Sequence, residues 1–163
     1  MKKYGLEVKL ELAPGNAQEA SDLITKKLLP LHKEAWDTEK RQVLGRDYDP
    51  NITALMQMWV SGALKIVLLS TEEDETVGYV LCAEFRPLAY NARVLQVEDY
   101  YVRPHYRHQG MQAINELVVE MATMCGCHEL WTTEQGGDYP LTIDPTNWAE
   151  RQPFAKTRQH LAR

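Results

Sequence analysis

The sequence predicts an α/β (α+β) fold, in which one strand is followed by helices, three strands, a long helix and a final strand. Three observations carry this reading. Leu6, Val8, Leu10 and Leu12 alternate with Glu7, Lys9 and Glu11, the period of two that marks a half-buried strand. Two apolar runs, 65–70 and 77–85, flank the polar connector Thr71-Glu72-Glu73-Asp74-Glu75-Thr76, whose hairpin length predicts antiparallel pairing. A third apolar run, 94–102, passes through a tight turn into a helical pattern over 110–125.

The elements follow in order. Pro14-Gly15 breaks the first strand, and Asn16 with Glu19 three residues on makes a capping-box-like start for a helix whose Ala17, Ala20, Ile24 and Leu28 share one face. Pro30 is expected to end or kink that helix, with a second helical piece over 31–41. Asp49-Pro50-Asn51 reads as a stop followed by the cap of a third helix over 52–61, which Gly62 closes. Ile114, Leu117, Val118, Met121 and Met124 mark the buried face of the long helix at 3.6-residue spacing. Gly126 is expected to end it as a left-handed cap, with a short strand following over 130–133. Past Gln135, Gly136-Gly137-Asp138-Tyr139-Pro140 is turn chemistry, and 147–161 reads as a closing helix.

Bulk composition narrows the function classes. At 163 residues the chain reads as one domain over 1–163, long enough to bury roughly 70% of the surface its unfolded form exposes. Apolar residues at 44% and charged residues at 25% fit a globular chain, and no run approaches the roughly 18 apolar residues that span a bilayer. The N-terminus MKKYGLEV lacks the apolar core of a signal peptide, so a cytoplasmic location is expected. A net charge of −5 and a pI near 5.5 disfavour nucleic acid as a partner, although the stretch 151–163 holds Arg151, Lys156, Arg158 and Arg163 with no acidic residue.

Three cysteines, an odd number, argue for free thiols. Cys125-Gly126-Cys127-His128 invites a metal reading, but its one-residue spacing is tighter than usual and no second cluster supplies more ligands, so no metal is expected. Cys82 stands within a strand pattern, far in sequence from an activating base, and is a poor nucleophile.

The chemistry concentrates at Val102-Arg103-Pro104-His105-Tyr106-Arg107-His108-Gln109-Gly110-Met111. A tight turn between strand and helix can aim several backbone N–H groups at one spot, and the helix beginning at Gly110 adds the positive end of its dipole. The site suits a phosphate or pyrophosphate. Just upstream, Glu98 and Asp99 interrupt an apolar strand, where an unpaired carboxylate is costly, so at least one faces a cleft or a cation. Either could take a proton from a nucleophile, and alternation puts them on opposite faces. The rival is a structural ion pair with Arg93, Arg103 or Arg107.

The order V-x-P-x-Y-R-x-x-G-x resembles the cofactor motif of the GNAT acyltransferases, Arg or Gln, two residues, Gly, one residue, then Gly or Ala. Arg107 and Gly110 match; Gln112 stands where the family has Gly or Ala, and Ala113 follows it. The Gly78-Tyr79-Val80 strand followed by Tyr90 and Glu98-Asp99 is similar to small phage-type members, and the resemblance runs from Leu6 to about Thr133, leaving 134–163 as an atypical C-terminal segment. The resemblance implies a mixed, mostly antiparallel central sheet flanked by helices. It implies acetyl-CoA as co-substrate, held by Arg107, His108, Gln109, Gly110, Met111, Gln112 and Ala113. A backbone amide of Tyr101 or Val102, freed by a bulge and splay in the strand, would meet the thioester carbonyl. The acceptor would be an amine, on a small molecule or a protein, and the loop 86–91 with Tyr90 would border its cleft. A tyrosine commonly serves the family as general acid on a helix after the last strand; here Tyr139 lies in the loop that replaces it. His105 and His108 flank the turn and could pair with phosphate, or be ordinary surface residues. The implied activity is N-acetyl transfer by direct attack in a ternary complex; the alternative is a catalytically silent binding module on the same fold. The family also carries a further helix and sheet hairpin, and this chain looks too short for the hairpin, so either a partner chain completes that edge, as in a homodimer, or the acceptor side is unusually open.

Overall fold

A computed structural model describes residues 1–41, 45–134 and 156–161. Its strands are β1 (Lys2–Lys3), β2 (Leu6–Glu11), β3 (Leu64–Ser70), β4 (Thr76–Phe85), β5 (Val94–Val102), β6 (Glu129–Glu134) and β7 (Lys156–Leu161), which lie in that order in one sheet. Pairings from β1 through β5 are antiparallel, and β5–β6 and β6–β7 are parallel. The mixed, mostly antiparallel sheet implied by the sequence is therefore observed. β7 departs from the expectation: residues 156–161 pair with β6 as a strand rather than forming part of a helix. The outer edge of β6 carries a row of backbone donors and acceptors, and a strand satisfies them where a helix cannot.

The first helical region departs as well. Asn16 caps α1 (Ala17–Leu23) by accepting from the amides of Gln18 at 2.8 Å and Glu19 at 3.2 Å, as expected of a capping residue. Pro30 does not end the helix. A π-turn over Ile24–Leu28, in which the Leu29 amide reaches back five residues to the Ile24 carbonyl, leads directly into α2 (Leu29–Ala35), and a second π-turn follows over Trp36–Lys40. An interior proline costs about 3 kcal/mol in a regular helix, through its lost N–H and its ring against the carbonyl four back. Widening the preceding turn relieves that clash, while Ile24, Leu28 and Leu31, each worth about 1.5–3 kcal/mol when buried, favour continuing along the sheet. Asn51 caps α3 (Ile52–Val60) through the Ala54 amide at 3.1 Å.

The sheet separates two apolar layers. Leu6, Val8, Val67, Val80, Leu95, Val97, Tyr100 and Val102 lie under α4 (Arg107–Met124) with Ile114, Leu117 and Val118. Ile66, Leu68, Tyr79, Leu81 and Tyr101 face the other way, under the α1–α2 helix with Ile24, Leu28 and Leu31. α4 begins at Arg107 after a 3-10 turn over Pro104–Tyr106, three residues earlier than the sequence pattern places it, because Pro104 starts the turn with a preset φ and the apolar stripe shows only from Met111 onward. It ends in the expected glycine cap: Gly126 has φ +66°, its amide donates to the Thr123 carbonyl, and the Cys127 amide donates to that of Ala122.

Where β5 hands over to α4 the backbones approach closely. A Cβ built on Gly110 would stand 2.5 Å from Val102 Cγ1 and 2.9 Å from its Cγ2. Gly110→Ala therefore pushes the helix off the strand, and we expect a loss of about 1–3 kcal/mol, the usual cost of overpacking. Urea denaturation of the variant checks this, and unchanged stability would show that the junction yields freely.

Candidate active site

The site is built around an irregularity in β5. Its register against β4 shifts between Val97, which pairs with Cys82, and Asp99, which pairs with Leu81, so Glu98 is an extra, bulged residue. Val97 faces α4, and strict alternation would put Asp99 and Tyr101 there too. The bulge reverses the faces beyond it: Tyr100 and Val102 pack under α4, while Tyr101 joins Tyr79 and Leu81 on the α2 side. Asp99 is thereby turned toward α2.

The same point opens the sheet. β6 pairs with β5 only as far as Val97 with Thr132, but stays with β7 as far as Glu134 with Leu161. From Glu98 to Val102, β5 thus diverges from its parallel neighbour. The Arg103 amide donates to the Val77 carbonyl at 2.9 Å, which makes that pair hydrogen-bonded across the two strands. By antiparallel alternation the amides of Tyr101 and Asp99 face β4, and those of Tyr100 and Val102 face the gap. Of the two amides singled out from the sequence, Val102 points to the gap and Tyr101 does not.

At the mouth of the gap stands the first turn of α4. The Tyr106 amide donates to Arg103 and that of Arg107 to Pro104, and a helix starting at Arg107 leaves the amides of His108 and Gln109 outside its own i to i−4 ladder. The Arg107 guanidinium points elsewhere: Nε donates to the Val102 carbonyl and Nη2 to Glu39 Oε1, both at 3.1 Å, and its carbon lies 5.6 Å over the Tyr101 ring. Met111 and Ala113 are buried in the α4 core, whereas His108 and Gln112 are exposed and Gln109 is half-buried. His105 is exposed too, edge-on to the Tyr106 ring.

The two carboxylates of the bulge occupy different surroundings. Glu98 is exposed, yet its carboxyl is held above the ordinary glutamate range, first by desolvation and then by the charge of Asp99. Asp99 is 6% exposed and occupied: Tyr79 donates its hydroxyl to Asp99 Oδ2 at 2.9 Å, and His32 Nε2 lies 3.2 Å from the same oxygen. His32 Nδ1 is 2.9 Å from the Tyr48 hydroxyl. The arginines offered as partners for this pair are engaged by other acids, Arg93 by Glu84, Arg103 by Glu34 and Glu75, and Arg107 by Glu39. Sequence reading did not identify His32 or Tyr48, and it named Tyr79 only as part of the Gly78-Tyr79-Val80 strand. Only the place of His32 on an otherwise apolar helix face hinted at a buried partner.

Remaining candidates lie away from this centre. The Tyr90 hydroxyl donates to Glu129 at 2.5 Å, beside the Val94–Glu129 pair, which places it at the end where β5 and β6 are still joined. Tyr139 lies outside the described residues. Burial pushes the thiols of Cys82 and Cys127 up to about 12, which leaves them inert, and no metal-holding cluster of His, Cys, Asp or Glu occurs among the described residues. No helix among them is long and apolar enough to cross a membrane.

Two measurements follow from the carboxylates. Tyr79→Phe removes a donor from a buried acceptor and is expected to cost about 1–3 kcal/mol, read from chemical denaturation. Glu98 is raised in the folded state, so its ionisation weakens the fold above its unfolded pKa. Glu98→Gln should match the parent below the ordinary glutamate range and become the more stable protein as pH rises through the raised value. An advantage that shrinks with rising pH would contradict the assigned desolvation.

Similarity to known proteins agrees with this architecture. No curated protein sequence matches the chain. Among solved structures, an aminoglycoside acetyltransferase from an uncultured soil metagenomic sample superposes with a TM-score of 0.60 at 13% identity, covering 82% of this chain and 80% of that one. A ribosomal-protein-alanine N-acetyltransferase from Brucella melitensis biovar Abortus 2308 gives 0.55 at 16% identity, covering 82% of each chain. A transcriptional regulator from Bacillus halodurans C-125 gives 0.57 at 19%, covering 80% of this chain and 83% of that one. At these identities the likeness shows the fold alone. The family model of the acetyltransferase (GNAT) family matches residues 27–139, a span that contains the bulge, the gap and the turn into α4, and the chain belongs to that family of acetyltransferase enzymes.

Proposed function

We propose that the protein transfers an acetyl group from acetyl-CoA to a primary amine by direct attack in a ternary complex. The observation that carries this is the gap beside Glu98–Val102, with the Val102 amide aimed into it and the first amides of α4 at its mouth. The amides of His108 and Gln109, which lie outside the helix ladder, would hold the pyrophosphate, with the helix dipole adding to the attraction. The guanidinium of Arg107 braces the turn instead, since Glu39 and the Val102 carbonyl occupy it. The Val102 amide would bond the thioester carbonyl oxygen, a contribution of about 3 kcal/mol for one well-placed donor.

We assign the amine's proton to Glu98. It is the exposed carboxylate of the pair, and desolvation raises its basicity, whereas Asp99 is buried with the Tyr79 hydroxyl and His32 both against it. The nitrogen lone pair attacks the carbonyl carbon, the C–N bond forms, and the C–S electrons leave with sulfur. The nitrogen's proton passes to Glu98 and is then released to the thiolate or to water.

A second reading, a binding module without transfer activity, is favoured by Gln112 in the cofactor motif and by the shared fold of a protein described as a transcriptional regulator. Calorimetry with acetyl-CoA, followed by acetylation assays on aminoglycosides, polyamines and an N-terminal alanine peptide, separates the two. Glu98→Gln is expected to lower kcat by about 10²- to 10⁴-fold with the KM for acetyl-CoA unchanged. Absence of acetyl-CoA binding at millimolar concentration would refute the enzyme, and binding without acetylation of any amine would favour the module.

A further inference from the structure

We propose that Tyr48, His32 and Asp99 form a proton-accepting chain on the α2 face of this site, entered at the Tyr48 hydroxyl, which converts the arriving ammonium into the attacking amine. The proposal rests on the N-acetyltransferase reading and gives a task to three residues which that reading leaves unused. A primary amine reaches the enzyme as an ammonium and must lose two protons, one before attack and one as the C–N bond forms. Glu98 accounts for the second.

The geometry gives the chain one direction. Asp99 as a carboxylate only accepts, and Tyr79 already donates into its Oδ2 at 2.9 Å. His32 Nε2 lies 3.2 Å from that oxygen, and in the neutral tautomer that turns its N–H toward the carboxylate, Nδ1 is a bare acceptor. The Tyr48 hydroxyl, 2.9 Å from Nδ1, is then the donor. The rings of Tyr48 and Tyr79 meet the imidazole edge-on at 5.4 and 5.9 Å and hold its plane. The inner end is closed, with Tyr79 fully buried and Asp99 nearly so, while Tyr48 at the outer end is only half-buried. The order carboxylate, imidazole, hydroxyl is the one in which an imidazole can take a proton from an oxygen while a carboxylate stabilises the cation formed.

The groups acting on the chain are acidic or phenolic, and two of the acids are already paired with cations, Asp37 with Lys33 at 2.7 Å and Glu39 with Arg107 at 3.1 Å. Asp99 with its neighbour Glu98 comes from β5, Asp37 and Glu39 act on Tyr48 and Tyr79 from the second π-turn, and Tyr79 comes from β4. Desolvation, with Asp99 and Asp37 behind it, pushes the Tyr48 phenol up to about 12, so the hydroxyl stays protonated at neutral pH and must relay rather than store a proton. In the step, one N–H bond of the ammonium breaks and its electron pair remains on nitrogen as the attacking lone pair. The proton joins the Tyr48 oxygen while the hydroxyl's own proton passes to His32 Nδ1. The imidazolium is held against Asp99 and discharges to water, which reaches the 21% of the His32 side chain left exposed. Tyr48 is the catalytic residue; His32 and Asp99 are positioning residues.

Two readouts test the chain in the full-length protein. Nitrogen-15 NMR of the imidazoles at neutral pH should show His32 protonated at Nε2 and bare at Nδ1; the opposite tautomer overturns the proposal. Tyr48→Phe and His32→Gln, which keep the ring and the hydrogen-bonding edges respectively, are then assayed with acetyl-CoA and an amine turned over by the parent enzyme. We expect kcat/KM for the amine to fall about 10²-fold near pH 7. Because free amine rises about tenfold per pH unit below an ammonium pKa of about 10.4, the deficit should close by about pH 9. A deficit constant with pH, as lost packing would give, refutes the chain. Failure to bind acetyl-CoA refutes the acetyltransferase reading instead, whereas flat pH dependence with acetylation intact refutes only the relay.

Discussion

The single extra residue in β5 governs the rest of the site. Without Glu98 as a bulge, alternation would carry Asp99 and Tyr101 into the apolar layer under α4, and an ionised Asp99 there would meet no polar partner from that layer. With it, Asp99 faces Tyr79 and His32, Tyr100 and Val102 complete the α4 core, and the exposed Glu98 is left at the bend itself. The bulge also marks the last point at which β5 and β6 run together. One inserted residue thus sorts two adjacent carboxylates into different environments and opens the sheet beside them.

A second consequence lies in the helical layer that closes over the turned face. The α1–π–α2–π segment is tied to β5 and its exit at three places: His32 to Asp99, Glu34 to Arg103 and Glu39 to Arg107. Exposed ion pairs contribute little singly, about 0–1 kcal/mol. These are part-buried, with the Arg107 side chain at 17% exposure, and all three lock onto one short stretch of chain. Their effect is positional. They hold the strand-to-helix turn still and occupy both arginines that flank it, so the proposed pyrophosphate site would draw on main-chain amides and the helix dipole rather than on guanidinium groups.

Much of this was legible in the residues, and the exceptions share causes. The strand over 94–102, the caps at Asn16, Asn51 and Gly126, and the buried stripe of α4 from Ile114 to Met121 are local patterns, and they stand where periodicity and turn chemistry placed them. Met124, expected on that stripe, is exposed in the last turn of the helix. Pro30 does not stop the helix, because a π-turn offers a way to keep a proline inside a helix whose burial outweighs the local penalty. β7 was hidden because Lys156–Leu161 carries no apolar run; its partner, not its own composition, makes it a strand. Glu98 and Asp99 stood out as charges in an apolar run, but their separation into open and closed groups depends on His32 and Tyr79, 67 and 20 residues away from Asp99 in sequence. No single-sequence pattern encodes a contact at such distance.

Val102 shows why the proposed cofactor grip and fold stability would not be separable in this chain. Its side chain fills the space that Gly110 leaves open, its carbonyl accepts from Arg107 Nε, and its amide faces the gap. Side chain, acceptor and donor leave one residue in three directions, and each holds a different neighbour. Moving the first turn of α4 relative to β5 would therefore shift the Val102 amide and the amides of His108 and Gln109 together. A nucleotide spanning those donors would in turn resist that motion. The glycine in the motif thus acts through packing first: it lets the helix sit close to the strand, and under the proposed binding mode that closeness is what would let two sets of main-chain donors address one ligand.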